Sequence, residues 1–319
     1  MIRLHPALFL ADLEAKPAAL RELALFAGDD PWAVLEKPSR VTFVGMGSSR
    51  YAALVAARRL RRAGIDAVAE YASDELPDWD SLLIAISASG TSAETLDAIA
   101  GRSYVAMTND PDSPLAKGAT AVIDMHAGAE AGGVACRSFQ HTSLLLDALV
   151  RRLSGENTEG TVRLIDRTAE ATTDLLDRRD SWLPAISDLL ADGDGVYPIA
   201  PVDRISSALQ SALMFREGPR RPADGCETGD WAHVDVYLTK TLRYRALLFP
   251  GSRYDEQALD WMRRRNSPYV SVGDDVAGAA GTVRFRHDDD PGVRLATETL
   301  VAELVAAKWW GDVAQSSPE

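Results

Sequence analysis

Residues 41–62, VTFVGMGSSRYAALVAARRLRR, pass from a short apolar run through two glycines into a stretch of alanine, leucine and arginine. The opening run has strand length and no polar alternation, the pattern of a strand buried on both faces. From Arg50 to Arg62 the composition is that of a helix. Strand, glycine turn and helix in that order open a parallel βαβ unit. Further along, 82–87, 104–108 and 121–125 repeat the strand signature, and 93–100 and 138–153 are helical in pattern. Strands alternating with helices predict a doubly wound parallel sheet.

The same order recurs downstream. Candidate strands lie at 195–200, 246–250, 269–273 and 282–286, before a final helix over 293–309. Strand starts at 41 and 196 are 155 residues apart, and at that offset Ala53-Leu54 and Ala56-Ala57 face Ala208-Leu209 and Ser211-Ala212. The expected organisation is a leading helix within 1–28, a first half over 29–158, a helical linker over 159–190 and a second half over 191–319. Apolar spacing places the leading helix at 6–26, with Pro17 as its break point. The halves differ mainly by an apparent insertion, 218–245, after the second half's first helix; an extra loop in one copy is a place to look for chemistry.

The bulk composition narrows the function classes. Of 319 residues, 46% are hydrophobic and 25% charged, an ordinary globular balance. A net charge of -13 offers no basic excess for nucleic acid, although backbone N–H groups can still hold a phosphate on an acidic protein. Cys136 and Cys226 fit no metal-ligand spacing, and a reducing cytoplasm is expected. The start, MIRLHPALFLADLEAK, turns acidic too early for a signal peptide, and no run is apolar enough for a membrane span. His5, His126, His141 and His287 show no pair spacing for a metal; His287 beside Asp288–Asp290 reads as a solvated turn. No metal and no cofactor are expected.

Two motifs sit where a strand ends and a helix begins. Gly45-Met46-Gly47-Ser48-Ser49 lets the backbone approach a ligand and offers helix N–H groups to an anion; it also reads as a tight turn and nothing more. Arg50 stands where a dinucleotide fingerprint needs its third glycine, which disfavours a nucleotide-dependent oxidoreductase. The second motif, Ser87-Ala88-Ser89-Gly90-Thr91-Ser92 with Thr95 beyond it, gathers five hydroxyls around one glycine. A helix cap accounts for one of these, and the set can coordinate a phosphate without any cation.

With Thr108-Asn109, Ser113-Pro-Leu-Ala116 and Ala127-Gly-Ala-Glu130, these motifs resemble, in order and spacing, the SIS (sugar isomerase) domain family over nearly the whole first half. The segment 6–26 is similar to that family's leading helix. The resemblance implies an α/β fold of two tandem, flavodoxin-like SIS subdomains. It implies that Gly45, Met46, Gly47, Ser48, Ser49, Ser87, Ala88, Ser89, Gly90, Thr91, Ser92, Gly133, Val134 and Ala135 bind a phosphosugar. It extends to the isomerase region of the glucosamine-6-phosphate synthases and to related isomerases, deaminases and deglycases. Those enzymes end a helix on a catalytic glutamate where this chain has Ala212-Leu-Met-Phe-Arg-Glu217, and they carry a histidine sixteen residues beyond, where this chain has His233.

By that resemblance Glu217 moves a proton between C1 and C2 of the open-chain sugar through an enediol or enolamine, and His233 assists ring opening. Read without it, Glu217 is a surface carboxylate paired with Arg216, Arg220 or Arg221, and His233 a structural histidine between Trp231 and Val234. The likeness has gaps. Met214 stands at a lysine position, the closing WWGDVAQSSPE has no lysine, and Arg137 replaces another in the loop 131–137. Ala200 and Val202 replace glycines in the second half's first turn, so no phosphate is expected there. Glutamine-dependent amination is not expected, because no glutaminase segment precedes the halves. The expected function is sugar-phosphate isomerisation or deamination in a homodimer; a phosphosugar sensor without catalysis is the second reading.

Overall fold

The computed structural model describes residues 4–35, 37–78 and 80–316. The leading segment is two helices, α1 (Pro6–Glu14) and α2 (Lys16–Gly28), broken where Pro17 lacks the N–H that would carry one helix through. Then come β1 (Arg40–Gly45), α3 (Gly47–Arg62), β2 (Asp66–Tyr71), β3 (Leu82–Ile86), α4 (Ala93–Ala98), β4 (Val105–Thr108), α5 (Pro114–Lys117), β5 (Ala121–Asp124) and α6 (Arg137–Leu153). Their strands pair in the order β2-β1-β3-β4-β5, every pair parallel, which is the flavodoxin-like arrangement.

Helices α7 (Glu159–Asp177) and α8 (Arg179–Ala191) lead to β6 (Gly195–Ala200), α9 (Ile205–Glu217), β7 (Cys226–Glu227), α10 (Thr228–Trp231), β8 (Tyr244–Leu248), α11 (Asp255–Arg264), β9 (Tyr269–Val272), β10 (Gly281–Val283), α12 (Pro291–Thr297) and α13 (Thr299–Ser316). The second sheet, β10-β9-β8-β6-β7, is also parallel and has the same order counted from its own first strand.

Three expectations need correction. Strand β2 was not foreseen: DAVAEY is an edge strand that is half-exposed over most of its length, so it lacks the apolar run of a central strand. Once β2 is seen, most of the apparent insertion disappears. The first half has 19 residues between its first helix and third strand (63–81) and the second has 26 (218–243), because β7 is the counterpart of β2. The final helix is also not continuous, breaking between α12 and α13 at Glu298.

The chain divides into two compact units: one of residues 18–130 and 135–166, the other of residues up to 17, 131–134 and from 167 on. In the first, α3 and α6 cover one face of the sheet, tied together by Arg59 on Asp147. Ile99 and Leu115 close the other face with Val44, Leu83, Ala85 and Ala106. In the second, Tyr197, Ile199, Tyr244, Ala246 and Leu248 form a core with Trp231 of α10 and Ala258, Leu259 and Met262 of α11. Helices α8, α9 and α13 lie over the opposite face.

Within that second unit Lys16 donates to Glu303 of α13 at 2.6 Å, with both side chains wholly shielded from water. Such a pair is held together by the absence of any alternative, since either charge alone would be buried without compensation. E303L is expected to destabilise the protein by about 3–5 kcal/mol, whereas K16M/E303L together is expected to fall near wild type or above it. Urea unfolding midpoints of the two variants and the wild type check this.

Candidate functional site

In the first unit, β1 and β3 are neighbours, so the loops 45–49 and 87–92 leave the sheet side by side at its carboxyl edge. This is where open α/β sheets bind ligands. A Cβ on Gly45 would stand 2.9 Å from the Ile86 carbonyl oxygen, so only glycine allows that approach. Gly47, at φ 48°, opens α3, and Met46 precedes it with no side-chain cap. The Ser49 N–H bonds the Met46 carbonyl at 3.2 Å, and the N–H groups of Gly47 and Ser48 at the start of this long helix are available to an anion. Residues 46–49 are half-buried.

The five hydroxyls of the second loop are not equivalent. Ser92 is the N-cap of α4: its Oγ accepts from the Thr95 N–H at 3.3 Å and from the Thr95 hydroxyl at 3.1 Å, and itself donates to Glu94 at 2.9 Å. Its own backbone N–H and Ser92 hold the Glu94 carboxyl below the usual range. Capping thus takes two hydroxyls, not one. Ser89 and Thr91 are exposed and bonded to each other at 2.9 Å, leaving acceptor and donor capacity toward solvent. Ser87 is buried, and Ala88 contributes only its backbone: its carbonyl accepts from Asn109 N–H at 3.0 Å and the Thr108 hydroxyl at 3.2 Å.

The remaining sequence signposts turn out to be fasteners. Asn109 spans 18 residues, accepting from Ala127 N–H and donating to the Gly128 carbonyl. Glu130 accepts from the backbone of Cys136, Arg137 and Ser138 and from the Ser138 hydroxyl, which caps α6 with a carboxylate. Gly133 and Val134 belong to the second unit, where neighbouring Gly132 donates to Asp12 at 2.7 Å; Ala135 belongs to the first.

In the second unit Glu217 is the last residue of α9, half-buried, and His233 lies on an exposed stretch just after α10. The His233 side chain is exposed, and its imidazole makes no hydrogen bond among the described residues. Met214 is buried. The second half's first turn is filled from within: Arg204 pairs with Glu298 and donates to the carbonyls of Phe249 and Pro250. His141 is a core histidine on the Met125 carbonyl, His126 packs at a tilt against Phe26 with centroids 4.0 Å apart, and His287 bonds Glu170 at 2.7 Å. Asp288 is taken by Arg284, and Asp290 caps α12.

Sequence reasoning missed one polar network beside His233. Trp231 Nε1 donates to the Tyr244 hydroxyl at 2.8 Å, which donates to Asp235 at 3.2 Å. Burial, with Asp224 and Asp230 adding to it, pushes the Asp235 carboxyl up to about 6 against the opposing Tyr244 bond. Burial and the same acidic surroundings push the Cys226 thiol up to about 12. No spacing rule marks these residues, because β8 supplies the tyrosine and the loop supplies its partners.

Residues 34–152 match the SIS domain family model. The isomerizing glutamine--fructose-6-phosphate aminotransferase of Zymomonas mobilis is 28% identical over 304 residues, covering 88% of this chain and 47% of its own length. The chain spans about half the length of the curated relatives it matches. Among solved structures, the C-terminal domain of glucosamine-fructose-6-phosphate aminotransferase from Francisella tularensis superposes with a TM-score of 0.80 at 18% identity, covering 95% of this chain and 96% of that one. Glucosamine-6-phosphate deaminase from Thermotoga maritima superposes at 0.74 and 18% identity, covering 96% and 95%. These likenesses confirm the fold, an α/β protein with two parallel five-stranded sheets. No described helix is long and apolar enough to cross a membrane.

The Asp235 shift has a testable consequence. A folded-state pKa above the unfolded value means the native state holds the proton more tightly, so this contribution to stability is present at about pH 4 and below and is lost as pH rises through about 6. D235N keeps an acceptor for Tyr244 without the charge. It is expected to raise the thermal midpoint at about pH 8 and leave it near wild type at about pH 4. Equal shifts at both pH values would count against burial of the carboxylate as the cause.

Proposed function

We propose that this chain, which carries a SIS domain at residues 34–152, is a phosphosugar isomerase-type enzyme. Its substrate is a ketose or aminosugar phosphate, and the reaction is proton transfer between C1 and C2, with or without loss of ammonia or an amine. The observation that carries the reading is the uncapped start of α3 beside the exposed Ser89–Thr91 pair, an anion cradle at the carboxyl edge of a parallel sheet. The names of the relatives, an isomerizing aminotransferase and a deaminase, support the substrate class.

In the proposed mechanism Gly45–Ser49 and Ser87–Ser92 hold the phosphate. His233 passes a proton at the ring oxygen to open the sugar. The Glu217 carboxylate then removes the proton from one of C1 and C2, leaving an enediol or enolamine, and returns it to the other carbon. Glu217 ends α9 and is half-buried, and a positioned carboxylate is a suitable general base for this step. Met214 is buried and supplies no amine, so the proposed route draws no lysine imine from that position.

The proposed working unit is a homodimer. Supporting it, His233, Val234 and Tyr237 are exposed on one short stretch, a surface of aromatic and apolar character. Light scattering at micromolar protein is expected to give twice the chain mass, and a monomer would overturn the assembly.

Two substitutions test the chemistry. E217Q is expected to reduce exchange of the C1 or C2 proton with solvent deuterium by about 10²–10⁴-fold while sugar-phosphate binding persists. H233N is expected to slow turnover of cyclic substrate more than that of an acyclic analogue. Phosphosugar binding by the wild type, without deuterium incorporation from any hexose or aminohexose phosphate, would replace the enzyme with the sensor that Met214 favours.

A further inference from the structure

Arg50 sits in the first turn of α3, with its guanidinium carbon 3.6 Å from the centroid of the Tyr71 ring. Tyr71 ends β2 and pairs in register with Gly45, so the cation is folded back over the sheet edge where the 45–49 loop turns into the helix. Its surroundings differ from those of other half-buried arginines in this unit. Arg40 pairs with Asp66, Arg59 and Arg151 with Asp147, and Arg152 with Asp30, while Arg102 bonds the Leu76 and Pro77 carbonyls. Among the described residues Arg50 makes no hydrogen bond and no ion pair, and its Nε is sealed from solvent without an acceptor.

Stacking on tyrosine supports one face of a guanidinium but leaves its in-plane N–H groups unsatisfied. A buried donor with no acceptor is unfavourable and calls for a partner outside the free chain. The planar fork matches the oxygens of a phosphate monoester, and the neighbouring helix start is uncapped. On a chain of net charge -13, a fixed local cation also offsets the repulsion that an arriving dianion meets.

We propose that Arg50, braced by Tyr71, receives the phosphate group of the ligand and makes the site select phosphorylated over neutral sugars. This rests on the phosphosugar reading above, and extends it by assigning a charged donor to a cradle otherwise made of backbone and hydroxyls.

Calorimetric titration of the full chain with fructose 6-phosphate and glucosamine 6-phosphate, against unphosphorylated fructose, tests the assignment. R50Q is expected to weaken hexose-phosphate binding about 10–100-fold, and R50K to recover part of it, because an ammonium keeps the charge without the fork. Y71L is expected to weaken it less. The wild-type advantage over R50Q narrows as pH falls through the second phosphate ionisation, near a pKa of about 6. The ligand-free melting midpoints of R50Q and R50K fall only slightly, through loss or weakening of the stack on Tyr71, since the free chain gives Arg50 no hydrogen bond or ion pair to lose. Wild-type binding with unchanged affinity in both R50Q and R50K overturns the role of Arg50 and leaves the phosphosugar reading standing. No binding of either hexose phosphate by the wild type overturns both.

Discussion

Consecutive strand ends in the β1–β5 unit turn toward their helices through a space with no room for a β-carbon. At Gly90 one would stand 2.0 Å from the Ser113 hydroxyl, and φ there is 61°, a conformation glycine adopts without strain. Packing this close makes the loops depend on one another. Gly90 admits Ser113, Ser113 caps α5, the Ala88 carbonyl holds Thr108 and Asn109, and Asn109 holds the 127–128 turn. The shape of the edge at 45–49 and 87–92 is thus set largely by side chains that serve as its framework.

That dependence explains what could be read from sequence. Strands β1, β3 and β4 were legible because parallel central strands are buried on both faces and appear as unbroken apolar runs. Strand β2 was not, since one residue of its six is fully buried, and missing it made an ordinary crossover resemble an insertion. The break at Glu298 was hidden for a different reason: its partner Arg204 is 94 residues away, and no local pattern connects them. At the candidate site, the glycine and hydroxyl loops followed from elementary anion-binding chemistry. Glu217 and His233 needed a family resemblance, and Asp235 depends on a tertiary contact with Tyr244 that neither route could supply.

The second unit spends its polarity differently. Among its described residues it buries two ion pairs, Lys16–Glu303 and Arg204–Glu298. Burial raises the Glu298 carboxyl while Arg204 opposes the shift. The turn after β6, which corresponds by strand order to the glycine loop after β1, is thereby occupied by the chain's own cation and carboxylate. Two sheets of the same order therefore present unlike edges: one open to an anion, the other already neutralised from inside.

The acidic neighbourhood of Cys226 also determines how the molecule can be handled. With its thiol pushed up to about 12 by burial and the nearby carboxylates, the group stays protonated at neutral pH. Cys136 is enclosed in the interior. Neither native sulfur competes well for a maleimide or an alkylating spin label. A cysteine introduced at an exposed position such as Val234 would then report on that surface alone, without first stripping the chain of its own thiols.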